Sequence, residues 1–420
     1  MYLTTEYNTI EKSILKENTK ENKSLSIFLI IFGFFLNQSS IIFGINISFS
    51  DILSILILLN IALTKKMIIP FQTLSFFIVL IMSTLTASVY IVPIIFNVRP
   101  TSMQILVNYL KLCVNFIYLL LGYLIAKSDR IRKVFSGLSI GALVVGVLAL
   151  IFSVIRIPFI NELFFFGGVR YRGLMNDPNY FAVLQILSLV YIISENITPR
   201  RKWFFSTLLI ISILMSGSKT GLVTLVFIIL MGYLKRSLRI KSNVKSILIS
   251  FGFFIFITFI VFYYKSIMTY VLPKISDAIP IVKRLEPLFL DFETAIVDGG
   301  SGRNRAWGTA LELIKKSPIF GVGIGTYLTI TKEVYNYGSI AHNTYLQLGV
   351  EWGLPLTITL FSYIFMLLTK KQDRDIVYLK YMLIVILIGG VAVSFNNVRI
   401  FWLIIGCLIY YSKRHNEFEI

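Results

Sequence analysis

The chain of 420 residues has two cysteines, two histidines and four tryptophans, and only 15% of it is charged. Each scarcity excludes something. Cys113 and Cys407 both lie in long apolar runs, so they read as small core residues and not as a disulfide or metal site. No HExxH, no CxxC and no acidic pair at metal-ligand spacing occurs, which points to a metal-independent site without a cofactor. So little charge beside 56% hydrophobic residues excludes a soluble globular surface and a disordered chain. What remains is apolar length, enough for about a dozen spans of about 20 residues each.

Basic residues outnumber acidic ones 40 to 21, a net charge of +19. Such a balance suits nucleic acid, anionic lipid or an anionic substrate, and the position of the charges decides among them. Apolar runs between charge clusters predict an all-α integral membrane protein with twelve transmembrane helices, at 25–43, 50–64, 72–95, 104–126, 134–155, 179–193, 203–217, 220–234, 246–264, 342–369, 376–395 and 399–412. Threading them alternately from a cytoplasmic residue 1 gathers 23 of the 40 basic residues in short cytoplasmic segments. These include Lys65/Lys66, Arg200/Arg201/Lys202 and Lys370/Lys371/Arg374. That asymmetry is the positive-inside pattern, so this part of the charge needs no nucleic acid.

The organisation expected is a cytoplasmic leader at 1–24, nine spans within 25–264, an extracytoplasmic loop at 265–341, three spans within 342–412 and a cytoplasmic tail at 413–420. The leader mixes Lys12, Lys16, Lys20 and Lys23 with Glu6, Glu11, Glu17 and Glu21, and no small-residue cleavage pattern follows, unlike a removed signal peptide. The loop is 77 residues long, with nine basic and seven acidic side chains. It is too polar for lipid and too long for a connector, and long structured loops commonly carry function. A second outer segment covers 156–178.

Of the two histidines, His415 belongs to the charged tail, whereas His342 stands where the outer loop re-enters the membrane. Histidine alone has an unperturbed pKa, about 6.5, that lets it exchange a proton near neutrality; the plain alternative is a residue capping a helix start. Upstream, Asp298-Gly-Gly-Ser-Gly-Arg303-Asn-Arg305 opens a helix whose Trp307, Ala310, Leu311 and Ile314 share one face and which Pro318 stops. A Gly/Ser loop leading into a helix suits an anion. Two arginines in a first turn are unfavourable there by about 0.3–1 kcal/mol each unless an anion is present or they are simply solvated.

Ser216-Gly-Ser-Lys219-Thr lacks the glycines of a Walker A loop, so Lys219 is either an anion contact or a snorkelling lysine. Gly321-Val-Gly-Ile-Gly-Thr326 fails the dinucleotide pattern and predicts tight backbone bends. In Arg170-Tyr-Arg172-Gly-Leu-Met-Asn-Asp177-Pro178-Asn179, Asp177 and Pro178 read as N-cap and first helical residue. Arg170 and Arg172, two apart, point the same way on extended chain and are candidate phosphate ligands. Glu351 lies nine residues after His342, on the opposite face of a continuous helix, so it is expected to hold a neighbouring cation unless Gly353-Leu354-Pro355 breaks the helix.

The ordered set Arg172-Gly…Asn176-Asp-Pro-Asn179, Ser216-Gly-Ser-Lys219-Thr-Gly221, Ser301-Gly-Arg303…Trp307, Pro318-Ile-Phe-Gly-Val-Gly323 and His342-Asn343-Thr-Tyr-Leu…Glu351-Trp-Gly-Leu-Pro355 resembles the O-antigen polymerase and ligase superfamily (Wzy-type polymerases and O-antigen ligases). The resemblance implies a GT-C-like polytopic glycosyltransferase of the bacterial plasma membrane, with both termini cytoplasmic. Its donor would be an undecaprenyl-diphosphate-linked oligosaccharide, and its outer-face site would combine Lys219, Arg303 and His342. Many members carry arginine at the hairpin position, where Lys219 keeps the charge without the bidentate fork.

Residues and resemblance together imply diphosphate binding by Arg303, Arg305, Lys219, Arg172 and Arg170, with His342 as general base and Asn343 and Glu351 in support. A polysaccharide polymerase of capsule, exopolysaccharide or O-antigen synthesis is the leading expectation. It would work with the lipid bilayer and with a chain-length regulator and flippase of the same pathway. A ligase transferring to another acceptor, a flippase or other transporter, and a non-catalytic scaffold remain open.

Overall fold

The computed structural model describes residues 23–39, 47–64, 69–155, 157–239, 303–370 and 376–418. The expected leader, the span at 246–264 and the loop between 265 and 302 lie outside these described residues.

The described chain is helical throughout, apart from one two-stranded hairpin. In order come α1 (Lys23–Phe35), α2 (Phe49–Thr64), α3 (Phe71–Phe96), α4 (Ser102–Lys127), α5 (Ile131–Val154) and α6 (Pro158–Phe164). The antiparallel β1 (Phe165–Phe166) and β2 (Arg170–Tyr171) follow, then α7 (Pro178–Ser194), α8 (Pro199–Met215) and α9 (Lys219–Arg239). After the interval come α10 (Arg303–Lys316), α11 (Tyr327–Glu333), α12 (Thr344–Trp352), α13 (Leu354–Thr369), α14 (Val377–Gly389) and α15 (Arg399–Phe418). Three of them, α3, α4 and α5, are long and apolar enough to cross a membrane, and α1, α2, α7, α9, α13 and α14 contain shorter apolar helices. Their outward faces carry Ile78, Met82, Leu106, Leu110, Ile140 and Val144, all exposed. Apolar surface of this kind, on helices of this length, is that of a helical membrane protein.

In such a protein helices are drawn together by close backbone approach, which needs small residues at the contact. A Cβ added to Gly122 of α4 would lie 2.1 Å from the Leu403 carbonyl oxygen of α15, and one on Gly406 would lie 1.9 Å from that of Leu119. The same relation joins α1 and α5, where a Cβ on Gly137 would meet the Ile30 carbonyl at 2.0 Å. Both pairs run parallel: Ile30 meets Gly137 and Phe34 meets Gly141, while Asn115 meets Asn396 and Tyr123 meets Tyr410. By contrast α5 and α7 are antiparallel: Ser136 early in α5 bonds Tyr191 late in α7, while Val145 further along α5 accepts from Tyr171 of β2, whose ring packs on Phe181 early in α7.

Two cores result. The larger lies among the apolar helices; the smaller joins Val92 and Phe96 of α3 to Ala310, Leu313, Tyr327, Ile330, Ala341 and Val350. The second core is the anchored part of the expected outer loop.

Several expectations need correction. The span expected at 342–369 is two helices: Gly353, at φ 77°, ends α12, and Pro355 opens α13. The buried stripe of α10 is Ala306, Thr309, Ala310 and Leu313, and Leu311 is 49% exposed, so the packed face is turned toward α12 and α11. Cys113 is exposed on α4 while Cys407 is buried. A helix apolar all round does not reveal from sequence which side meets lipid.

Candidate functional site

The first half of α7 ties three elements together. Asp177 caps the helix, accepting from the Asn179 N–H at 2.6 Å, and Pro178 is its first residue, as the sequence predicts. The Asn179 side-chain oxygen accepts from Ser218 Oγ at 2.8 Å and from Arg170 Nη2 at 3.1 Å. Arg170 Nε donates to the Ser216 carbonyl at 3.1 Å, and its side chain is buried. Ser216 and Ser218 in turn bond the N–H groups of Ser218 and Gly221, which fixes the turn between α8 and α9. Lys219 follows directly as the half-buried first residue of α9.

On the opposite side, His342 adopts φ 49°, and Asn343, not His342, caps α12 by accepting from the Tyr345 and Leu346 N–H groups at 2.9 and 3.0 Å. The link from α14 to α15 then receives contacts from every side. Asn343 Nδ2 donates to the Val391 carbonyl at 2.9 Å, Arg303 Nη2 to that of Ala392 at 3.1 Å, Thr344 Oγ1 to that of Val393 at 2.7 Å and Tyr180 OH to that of Ser394 at 2.5 Å. Four consecutive carbonyls thus join α10, α12 and α7. Sequence reasoning missed this platform, whose only signals are Gly389-Gly390 and Asn396-Asn397 interrupting an apolar run.

His342 lies in the loop ahead of α12, outside the apolar helices, with an exposed side chain whose Nε2 is 3.3 Å from Ser339 Oγ. Partial desolvation by the surrounding protein, and then the Arg303 guanidinium, hold its pKa below the ordinary histidine value, while Asp177 pulls the other way. Desolvation and the guanidinium both favour the neutral, proton-accepting form of the ring.

The remaining expected residues are placed apart. Arg305 donates to the Tyr335 carbonyl at 2.9 Å and lies 4.6 Å from the centre of the Tyr337 ring, whereas Arg303 donates to the Ala392 carbonyl. Arg172 donates to the Glu162 carbonyl of α6 at 3.0 Å and to that of Asn176 at 3.5 Å, whereas Arg170 donates to the Ser216 carbonyl and the Asn179 side chain. Glu351 is buried, and its carboxylate accepts from Gln347 at 2.7 Å and the Gly325 N–H at 3.4 Å rather than from a cation. Gln347 reaches back to the Ala341 N–H at 3.2 Å, so Glu351 braces the turn before His342 without touching the ring. The bends expected at Gly321 and Gly323 are present, at φ 67° and 80°, and a Cβ on Gly323 would lie 2.6 Å from the Thr84 carbonyl of α3.

Arg303 and the His342 turn are thus joined at the Val391–Ser394 strip, and α7, which is bonded to the turn just before Lys219, meets the same strip. Residues 204–361 match a family model described as O-antigen ligase, which supports the O-antigen ligase and polymerase superfamily. No curated protein matches the chain. The matched stretch contains Lys219, Arg303, Arg305, His342, Asn343 and Glu351, and leaves out Arg170, Arg172, Asp177 and the carbonyl platform.

Proposed function

We propose that the protein is a polysaccharide polymerase that joins lipid-linked oligosaccharide repeat units at the outer face of a bacterial plasma membrane. The observation that carries this reading is the junction of Arg303 and Asn343 on the adjacent carbonyls of Ala392 and Val391, which keeps the guanidinium beside the His342 turn. In the reaction, an acceptor sugar hydroxyl attacks the anomeric carbon of the donor. The bond from that carbon to the polyprenyl diphosphate breaks, its electron pair stays on the diphosphate oxygen, and the hydroxyl proton passes to His342. Arg303 and Lys219 stabilise the charge growing on the diphosphate. Arg170, tied to the Ser216 turn, aligns Lys219, while Arg172 and Arg305 flank the approach of the anionic donor. Displacement in one step inverts the anomeric centre, and no metal enters it.

The alternation of the expected spans is supported by the helix pairing, and its sense, with both termini cytoplasmic, by the excess of Lys and Arg in the expected cytoplasmic segments. Parallel α1 and α5 are both odd-numbered expected spans, parallel α4 and α15 are both even-numbered, and antiparallel α5 and α7 differ in parity. His342 and Lys219 then fall at outer ends. A chain-length regulator and a flippase of the same pathway are the partners this role implies.

Ligase-type transfer to a different acceptor is the second reading, favoured by the description of the matching family. Reconstitution in proteoliposomes with a lipid-linked repeat unit as donor and acceptor separates the two. A ladder of products supports polymerisation, whereas a single transfer that requires an added second acceptor supports ligation. Wild-type transfer by well-expressed His342→Ala and Arg303→Ala variants would overturn both.

A further inference from the structure

The outward face of α5 carries Ile140, Val144, Val147, Ile151 and Val154, all exposed and spaced as one helical stripe. The stripe does not stop where the helix does. Ile155, Ile157, Phe159, Leu163, Phe166 and Val169 extend the exposed apolar run through α6 and the β1–β2 hairpin, with Val154 82% and Phe159 72% exposed. From Ile157 to Val169 the sequence holds a single charged residue, Glu162.

The segment is packed firmly on its inner side. The ring of Phe164 lies 4.8 Å from that of Phe152 of α5, and the ring of Phe165 lies 5.3 Å from that of Tyr171. Tyr171 OH donates to the Val145 carbonyl at 2.9 Å, while Arg172 ties α6 to β2 by donating from its backbone N–H to Phe164 and from its guanidinium to Glu162. Phe164 and Phe165 therefore fill the inside, and Phe159 and Phe166 face out. At the tip Gly167 and Gly168 take φ 59° and 71°, and a Cβ on either would meet nothing within 4 Å. An element bathed in water turns polar residues to the face its core leaves open; here that face is apolar.

We propose that α6 and the hairpin form an interfacial anchor, seated with Phe159, Leu163, Phe166 and Val169 among the acyl chains of the leaflet in which α5 ends. Two observations select lipid as the occupant. The face continues the lipid-facing stripe of α5, and it is almost uncharged. A hairpin edge carries unpaired backbone groups that the hydrocarbon centre does not tolerate, so the seat is shallow, at the boundary between headgroups and acyl chains. With residue 1 cytoplasmic this is the outer leaflet; the lipid contact itself does not depend on the glycosyl-transfer reading. Because β2 runs directly from Val169 at the tip to Arg170, which holds the Ser216 carbonyl, the anchor sets the turn before Lys219 at the membrane surface.

Nitroxide labels test the seat without any transfer reaction. In full-length Cys113→Ser protein the remaining Cys407 is buried, so one introduced cysteine takes the label. Phe159→Cys and Phe166→Cys are compared in proteoliposomes with Val144→Cys on the outward face of α5 and Asn336→Cys in the exposed loop after α11. The readouts are collisions with oxygen, which concentrates among acyl chains, and with a polar nickel chelate, which is excluded from them. At both phenylalanine positions nickel collisions should be at least about threefold fewer than at Asn336, with oxygen collisions raised as at Val144.

A smaller reduction at either position overturns the proposal. Low collision with both reagents also overturns it, because protein, whether a second copy or another segment of this chain, then covers the face. If the labels behave as expected but the wild-type protein transfers no glycan, the functional reading fails and the anchor stands.

Discussion

Arg303 and Asn343 donate to neighbouring carbonyls, Ala392 at 3.1 Å and Val391 at 2.9 Å, although 40 residues separate them in the chain. A planar guanidinium can serve a carbonyl with one N–H and present further donors in a fixed fork to an anion. Replacing it with lysine keeps the charge but cannot serve a carbonyl and a diphosphate together. Arg303→Lys should lose at least about tenfold in transfer rate, and Arg303→Ala about a hundredfold or more, in proteoliposomes normalised for protein content.

The depressed pKa of His342 fixes the direction of the pH response. A base must be unprotonated, so the rate rises with pH through the folded-state value and is level above it. Because desolvation and Arg303 lower that value, the acid limb should have its midpoint below the ordinary histidine value of about 6.5. A midpoint clearly above 6.5 in the kcat/KM profile would exclude His342 in this environment as the base.

Asn343 combines two jobs that substitution can separate. Its oxygen caps α12 and its amide nitrogen ties the His342 turn to Val391. Asn343→Asp keeps the cap and loses the donor, whereas Asn343→Ala loses both, at a cost of about 1 kcal/mol for the cap. The aspartate variant should therefore retain thermal stability close to wild type yet transfer glycan about tenfold more slowly. Equal loss of stability in the two variants would mean that the Val391 tie matters mainly for folding.

The cap at Asp177 and the bends at Gly321 and Gly323 were legible in the sequence, because each depends on one residue type acting on its own backbone, whereas the break before Pro355 was only an alternative to the continuous span expected there. The candidate bases and cations were legible for a similar reason: charge is rare in this chain and stands out. The strip from Val391 to Ser394 was not, since it works through carbonyl oxygens that every residue carries. Nor could spacing tell that Arg305 turns to Tyr335 while Arg303 turns to Ala392, because two residues apart on a helix are separated by about 200°. The choice depends on which side α12 and the platform occupy.

The end of the platform is pinned by Arg399, whose Nε and Nη2 meet the two oxygens of Asp51 at 2.5 Å each. Tyr118 donates to the same carboxylate at 2.9 Å, and the Ser48 N–H also donates to it at 2.9 Å. Removing only Arg399 leaves a poorly solvated aspartate with neutral donors. Removing both charged groups leaves Tyr118 and Ser48 with a neutral neighbour. Arg399→Leu should accordingly destabilise the protein by on the order of 3 kcal/mol, and the double variant Asp51→Asn/Arg399→Leu by less than the single one. Thermal unfolding in detergent measures both. If the two losses simply add, the pair is solvated well enough to contribute little, and the platform must be held by Asn115 and Trp402, which both donate to the Asn396 carbonyl.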